Sequence, residues 1–86
     1  MYLNRKSKSF SLHLELLCML STTPISTEVV KKDLQADTAI IANAIKKLTR
    51  HHNIDIVRGG GTMRVKSTQW FVASNLANKY YTSIYG

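Results

Sequence analysis

Apolar residues crowd together from Phe10 to Leu20, recur at spacings of three and four through the middle of the chain, alternate briefly after Ile54 and return to helical spacing from Trp70. That succession predicts four helices, with a β-hairpin between the third and the fourth. Over residues 9–21 the positions Phe10, Leu12, Leu14, Leu16, Leu17, Cys18, Met19 and Leu20 cover most of a helix surface, so this helix belongs in the middle of a core, with Ser9 a candidate N-cap. Phe10, Leu12, Leu14 and Leu16 also alternate as in a strand, but the unbroken apolar run from Leu16 to Leu20 favours a helix. Residues 1–8 are polar and basic without apolar period and read as a flexible arm ahead of a single domain over 9–86.

The segment from Ser21 to Pro24 breaks the first pattern, and Ser26 or Thr27 then caps a helix over 26–35. Val29, Val30, Asp33 and Leu34 set its face, with Val30 and Leu34 the expected buried pair and Lys31 and Lys32 outward. At Ala36 the pattern stops, and Asp37 caps a third helix over 38–51. There Ile41, Ile45 and Leu48 share one face, while Ala39, Ala42, Asn43, Lys46, Lys47 and Arg50 occupy the other. Residues 54–66 read as a hairpin whose strands are joined by Gly59, Gly60 and Gly61. Met63 and Val65 turn inward, and Thr62, Arg64 and Lys66 turn outward as a small basic face. Ser67 or Thr68 caps a last helix over 68–84, where Trp70, Ala73, Leu76, Ala77, Tyr80, Tyr81 and Ile84 recur at helical spacing. The fold class is α+β: a three-helix core, a hairpin and an additional C-terminal helix.

With 86 residues the chain suits one modest core and one working surface. Twelve basic against five acidic residues give a net charge of +7, which favours a polyanionic partner. Nothing after Asp55 is acidic, whereas Arg58, Arg64, Lys66 and Lys79 all follow it. The single cysteine, Cys18, sits in an apolar run, reads as a buried free thiol and suits a reducing, cytoplasmic setting. Arg5, Lys6 and Lys8 followed by the apolar run superficially resemble an export signal, but His13 and Glu15 interrupt that run and no cleavage pattern follows. No apolar run approaches the ~20 residues of a membrane span.

Two short helices joined by a turn at Gln35 to Asp37 present the second as a protruding rod, the geometry that enters a major groove. The basic hairpin directly after it sharpens that reading, because a wing can lie along the sugar-phosphate backbone. Ile25 to Gly61 resembles the winged helix-turn-helix DNA-binding domain of DeoR-type transcriptional repressors. Ile25, Ser26, Thr27 and Glu28 match the opening of that family's second helix, Asp37 stands in place of its capping serine, and Ile41, Ile45 and Leu48 match its core positions. Val57, Arg58, Gly59 and Gly60 resemble its valine, basic residue and paired glycines, and Val57 to Val65 also resembles the wing of OmpR-type domains. Where DeoR-type recognition helices carry consecutive arginines this chain has Ala42 and Asn43, so any base readout differs. The resemblance covers less than half of the chain and leaves no room for the sugar-phosphate sensing domain of the full-length family, so it implies no small-molecule effector.

The expected partner is therefore double-stranded DNA, with Thr38, Ala39, Ala42, Asn43, Lys46, Lys47 and Arg50 on the inserted helix. Asn43 suits adenine and Ala39 or Ala42 thymine methyls, while Lys46 and Arg50 suit phosphates. Arg58, Thr62, Arg64 and Lys66 are the expected backbone contacts of the wing, and Arg5, Lys6 and Lys8 of the arm are candidates for further phosphate or minor-groove contacts. Other chemistry is poorly supplied. A phosphate loop wants a helix after its glycines, and a strand follows here. His51 and His52 lack a cysteine or acidic partner at ligand spacing and suit a helix C-terminus, and His13 reads as a partly buried helix residue, so no metal or other cofactor is expected. The five carboxylates are scattered with no nucleophile, histidine and acid set, which argues against catalysis. Trp70, Phe71, Tyr80, Tyr81 and Tyr85 either pack within the chain or form a homodimer seam. A winged-helix module that docks on protein, and a nucleic-acid coating protein without sequence preference, are the alternatives to a transcriptional regulator.

Overall fold

Burial of the leucine-rich stretch sets the architecture. The computed structural model describes residues 11–85, and the basic arm expected over 1–8, with Arg5, Lys6 and Lys8, and the cap expected at Ser9 fall outside them. In chain order the elements are α1 (Leu12–Leu20), β1 (Ile25–Ser26), α2 (Thr27–Leu34), α3 (Thr38–His52), β2 (Ile56–Gly59), β3 (Thr62–Val65) and α4 (Trp70–Tyr85), with a 3-10 turn at Ser67–Gln69 leading into α4. The fold is α+β, four helices on a three-stranded antiparallel sheet of order β1-β3-β2. Leu16, Leu17 and Leu20 of α1 are fully buried, and α1 packs against α2, α3, α4 and β3. Its apolar circumference is thus consumed by neighbours on every side, as a helix apolar all round requires. Val30, Leu34 and Ala36, Ile41, Ala44 and Leu48, Ile54, Met63 and Val65, and Ala73 and Ala77 complete the core, whereas Val29, expected on the inner face of α2, is exposed.

The connection from α2 to α3 is three residues long because each side of it is closed by local chemistry. Gln35 adopts a left-handed conformation with φ 52°. Its N–H donates to the Lys32 carbonyl at 3.2 Å, and that of Ala36 to the Lys31 carbonyl at 3.0 Å, the paired bonds of a Schellman ending. Asp37 Oδ1 then accepts from the Ile40 N–H at 2.9 Å, capping α3 as its position predicts. Neither Ser26 nor Ser67 or Thr68 caps a helix with its side chain. In their place the Thr27 N–H at the start of α2 donates to the Gly61 carbonyl at 2.9 Å.

That bond belongs to the one element the pattern did not foretell. Ile25 and Ser26, expected to open the second helix, form β1 opposite Met63 and Thr62 of β3. The hairpin itself has a two-residue turn, Gly60 and Gly61 with φ 60° and 78°, as a type I′ turn demands. Gly59 is not part of the turn; it ends β2 opposite Thr62.

Candidate nucleic-acid interface

Helix α3 spans 15 residues, a rod about 22 Å long. Ile41, Ala44 and Leu48 hold it to the core, with Ile45 half-buried beside them. At 100° per residue this anchoring puts Ala39, Asn43, Lys46 and Arg50 at the centre of the outward face, all exposed, with Thr38 exposed at its start and Ala42 half-buried at one margin. Lys47 stands at the other margin, where it lines a crevice with Asn43 and the first residues of α1. No carboxylate occurs between Thr38 and His52, so nothing on the rod opposes its three long cations.

The hairpin positions its basic residues less simply. Directly opposed residues of antiparallel strands point to the same side. Arg64 lies opposite Val57 and Thr62 opposite Gly59, on the outer face, while Arg58 lies opposite the buried Met63 and so on the inner face, exposed only because β2 is the sheet edge. The four residues expected to act together, Arg58, Thr62, Arg64 and Lys66, therefore do not share one face. Arg64 is half-buried and its Nη1 donates to the Val65 carbonyl at 3.4 Å. Thr62 Oγ1 donates to the Gly59 carbonyl at 3.0 Å, and Lys66 is exposed past the end of β3. Because the Gly61 carbonyl accepts from Thr27, the tip of the hairpin is tied to the start of α2 and does not extend as a free arm.

Gln69, unremarked in the sequence, fixes the hairpin relative to α3. Its Oε1 accepts from the Asp55 N–H at 2.7 Å, and its Nε2 donates to the Asn53 carbonyl at 3.1 Å, gripping the linker between α3 and β2 from the 3-10 turn that precedes α4. A second group that spacing alone concealed is the His13 ring stacked on that of His52, centroids 5.7 Å apart, with His51 edge-on to His52 at 6.4 Å. Among the described residues no group of three or more histidine, cysteine or acidic side chains is arranged to hold a metal ion.

Glu15, which only seemed to interrupt an apolar run, is 2% exposed. The Tyr80 hydroxyl is hydrogen-bonded to its carboxylate and also accepts the Ser11 N–H at 3.1 Å, tying the start of α1 to α4. Burial above all, then Glu15, holds that hydroxyl well above the usual tyrosine range. Among the described residues the Glu15 Oε2 has no hydrogen-bond partner. Cys18 is half-buried, with its thiol donating to the Ala77 carbonyl at 3.6 Å, and burial followed by the Glu15 charge pushes it up to about 11. The aromatic residues of α4 diverge: Tyr80 is buried, Trp70 half-buried, and Phe71 and Tyr81 exposed. No helix among the described residues is long and apolar enough to cross a membrane. Comparison with protein-family models, with curated proteins and with solved structures finds no match to the chain.

Proposed function

We propose that the chain is a winged-helix protein that binds double-stranded DNA, a small cytoplasmic transcriptional regulator in which α3 enters the major groove. The observation that carries this reading is the outward face of α3, where Asn43, Lys46 and Arg50, flanked by Lys47, stand exposed without a carboxylate on a rod presented by a capped three-residue turn. The element order and the β1-β3-β2 sheet agree with it. Asn43 supplies a bidentate amide for adenine and Ala39 a methyl for thymine, while Lys46, Lys47 and Arg50 meet phosphates. Base-reading groups are few and phosphate-seeking groups many, so affinity exceeds selectivity in this assignment. Arg64 and Lys66 serve the flanking backbone from the outer side of the hairpin, and Arg58 from its edge.

Fluorescence anisotropy with a labelled duplex tests the reading. With about six phosphates neutralised, the logarithm of the binding constant falls against the logarithm of salt with a slope of about −5. Lys46→Glu and Arg50→Glu each weaken binding to every duplex by roughly tenfold, whereas Asn43→Ala narrows the difference between sequences selected from a random pool and scrambled ones. Retention of no duplex at low salt removes the proposal. The alternative, docking on a protein, is favoured by Phe71 and Val72, which are 79% and 53% exposed side by side on α4. Under that reading association persists at high salt and Phe71→Ser abolishes it.

A further inference from the structure

Beside the outward face of α3 a crevice of about 400 Å³ opens toward the first turn of α1. Ser11 and His13 line one wall, Asn43 and Lys47 the other. Ser11 Oγ lies 2.8 Å from His13 Nδ1, which holds the ring and leaves Nε2 for another partner. The stack of His13 on His52, with His51 against His52, gathers three imidazoles and a lysine at the junction of the two helices. The groups that act on the charge of His13 are His52, Lys47 and His51, each cationic when protonated. Glu15, the acidic residue of α1, is buried against Tyr80 of α4 and does not act on this site. Such a cluster tolerates few charges on its own, and an anion placed among its members reverses their mutual repulsion.

We propose that this crevice is a phosphate seat in which His13 takes up a proton when the anion binds, with Lys47 on the facing wall supplying a second positive charge. The source of the phosphate rests on the DNA-binding reading, in which the seat lies beside the face of α3 assigned to the groove; the chemistry of the seat does not. The sign follows from the groups present. In the free protein burial, followed by His52, Lys47 and His51, holds His13 below the ordinary histidine value of 6.5. A phosphate at Nε2 favours the imidazolium, so the bound form binds more protons than the free form. Affinity for the anion therefore rises as pH falls through the value His13 has in the complex, and levels off below the value it has in the free protein.

Histidine-resolved NMR titration of the intact chain, alone, with a random-sequence duplex and with inorganic phosphate, tests the seat, beside duplex affinity from pH 5.5 to 8.0 at constant ionic strength. The expected results are a His13 titration midpoint raised in the complex and a duplex bound more tightly at the acid end, by up to about tenfold for each pH unit over which one proton is taken up. His13→Gln removes most of that pH dependence. Lys47→Gln, an exposed substitution that spares the fold, lowers affinity and reduces the shift of the His13 midpoint. A midpoint raised by the duplex alone assigns the seat to nucleic acid, and one raised equally by inorganic phosphate supports the seat with free phosphate as its source. If the duplex binds in a salt-dependent way while its affinity is flat with pH and the His13 midpoint stays fixed, the seat is wrong and the DNA-binding reading survives. If no duplex binds and phosphate also leaves His13 unmoved, both fail.

Discussion

Gly59 and Gly60 are neighbours of the same residue type with opposite requirements. Gly60 holds φ at +60°, where a Cβ meets the following carbonyl oxygen, whereas Gly59 lies outside that region and a Cβ built on it meets nothing within 4 Å. Gly60→Ala is therefore expected to cost about 1–2 kcal/mol by urea denaturation. Gly59→Ala is expected to be neutral or to stabilise by up to about 1 kcal/mol, because it removes backbone freedom from the unfolded chain. Equal losses at the two positions contradict the two-residue turn. Cys18 offers an independent check of packing between α1 and α4. With the thiol pushed up to about 11 from 9.0, the thiolate population at neutral pH falls by about 100-fold, and alkylation by iodoacetamide should slow in proportion relative to the urea-unfolded chain. Comparable rates in the folded and unfolded protein mean that the thiol is open to solvent.

At the scale of elements, the joint between α3 and the hairpin depends on one side chain from elsewhere. Gln69 satisfies the part-buried Asp55 N–H and the exposed Asn53 carbonyl, so Gln69→Ala leaves the Asp55 N–H without its partner and is expected to cost about 1–3 kcal/mol. Amide hydrogen exchange should quicken at Asp55 and at Lys66, whose N–H donates to the Asp55 carbonyl at 2.9 Å, while Ile40 in the capped turn stays protected. Uniform acceleration across the domain assigns Gln69 a merely global role. This joint also marks the boundary of what the sequence discloses. The α2–α3 turn was legible because every force that shapes it is local: the apolar period of each helix, the Asp37 cap three residues before Ile40, and the stop at Ala36. The outward face of α3 was legible for the same reason, since Ile41 and Leu48 fix the rotation of the rod. Strand β1 was not, because two residues carry no period and extend only when β3 arrives to pair with them. Gln69 reaches back 14 and 16 residues, and His13 of α1 meets His52 at the far end of α3, so neither leaves a trace in local pattern. Arg58 was grouped with Arg64 from its charge, and only strand register separates their faces.

Over the whole molecule, the DNA-binding proposal raises the question of whether one rod or two would reach a duplex. A stable dimer buries about 800 Å² on each partner, and a seam along α4 needs apolar residues recurring every three or four positions. Phe71 and Val72 are exposed but adjacent, roughly 100° apart around the helix. The positions that continue the stripe of Phe71 are Asn75, Asn78 and Thr82, all exposed and polar, and Tyr80 is committed to the core. Tyr81, 55% exposed, stands about 80° from Phe71 around the helix and outside that stripe, so the stripe offers one aromatic side chain of about 150–250 Å², well short of the requirement. The net charge of +7 adds repulsion between copies until a polyanion screens it. We therefore expect a homodimer through α4 to form on DNA and not before it. Sedimentation at micromolar concentration without DNA should give the monomer mass of 9.7 kDa, and a duplex with two sites about 34 Å apart should take up two copies with positive cooperativity. Phe71→Ser should abolish the cooperativity while leaving the binding of one copy to a single site intact. A species of twice the monomer mass at the same concentration without DNA overturns this expectation, and requires an interface that the described surface of α4 does not supply.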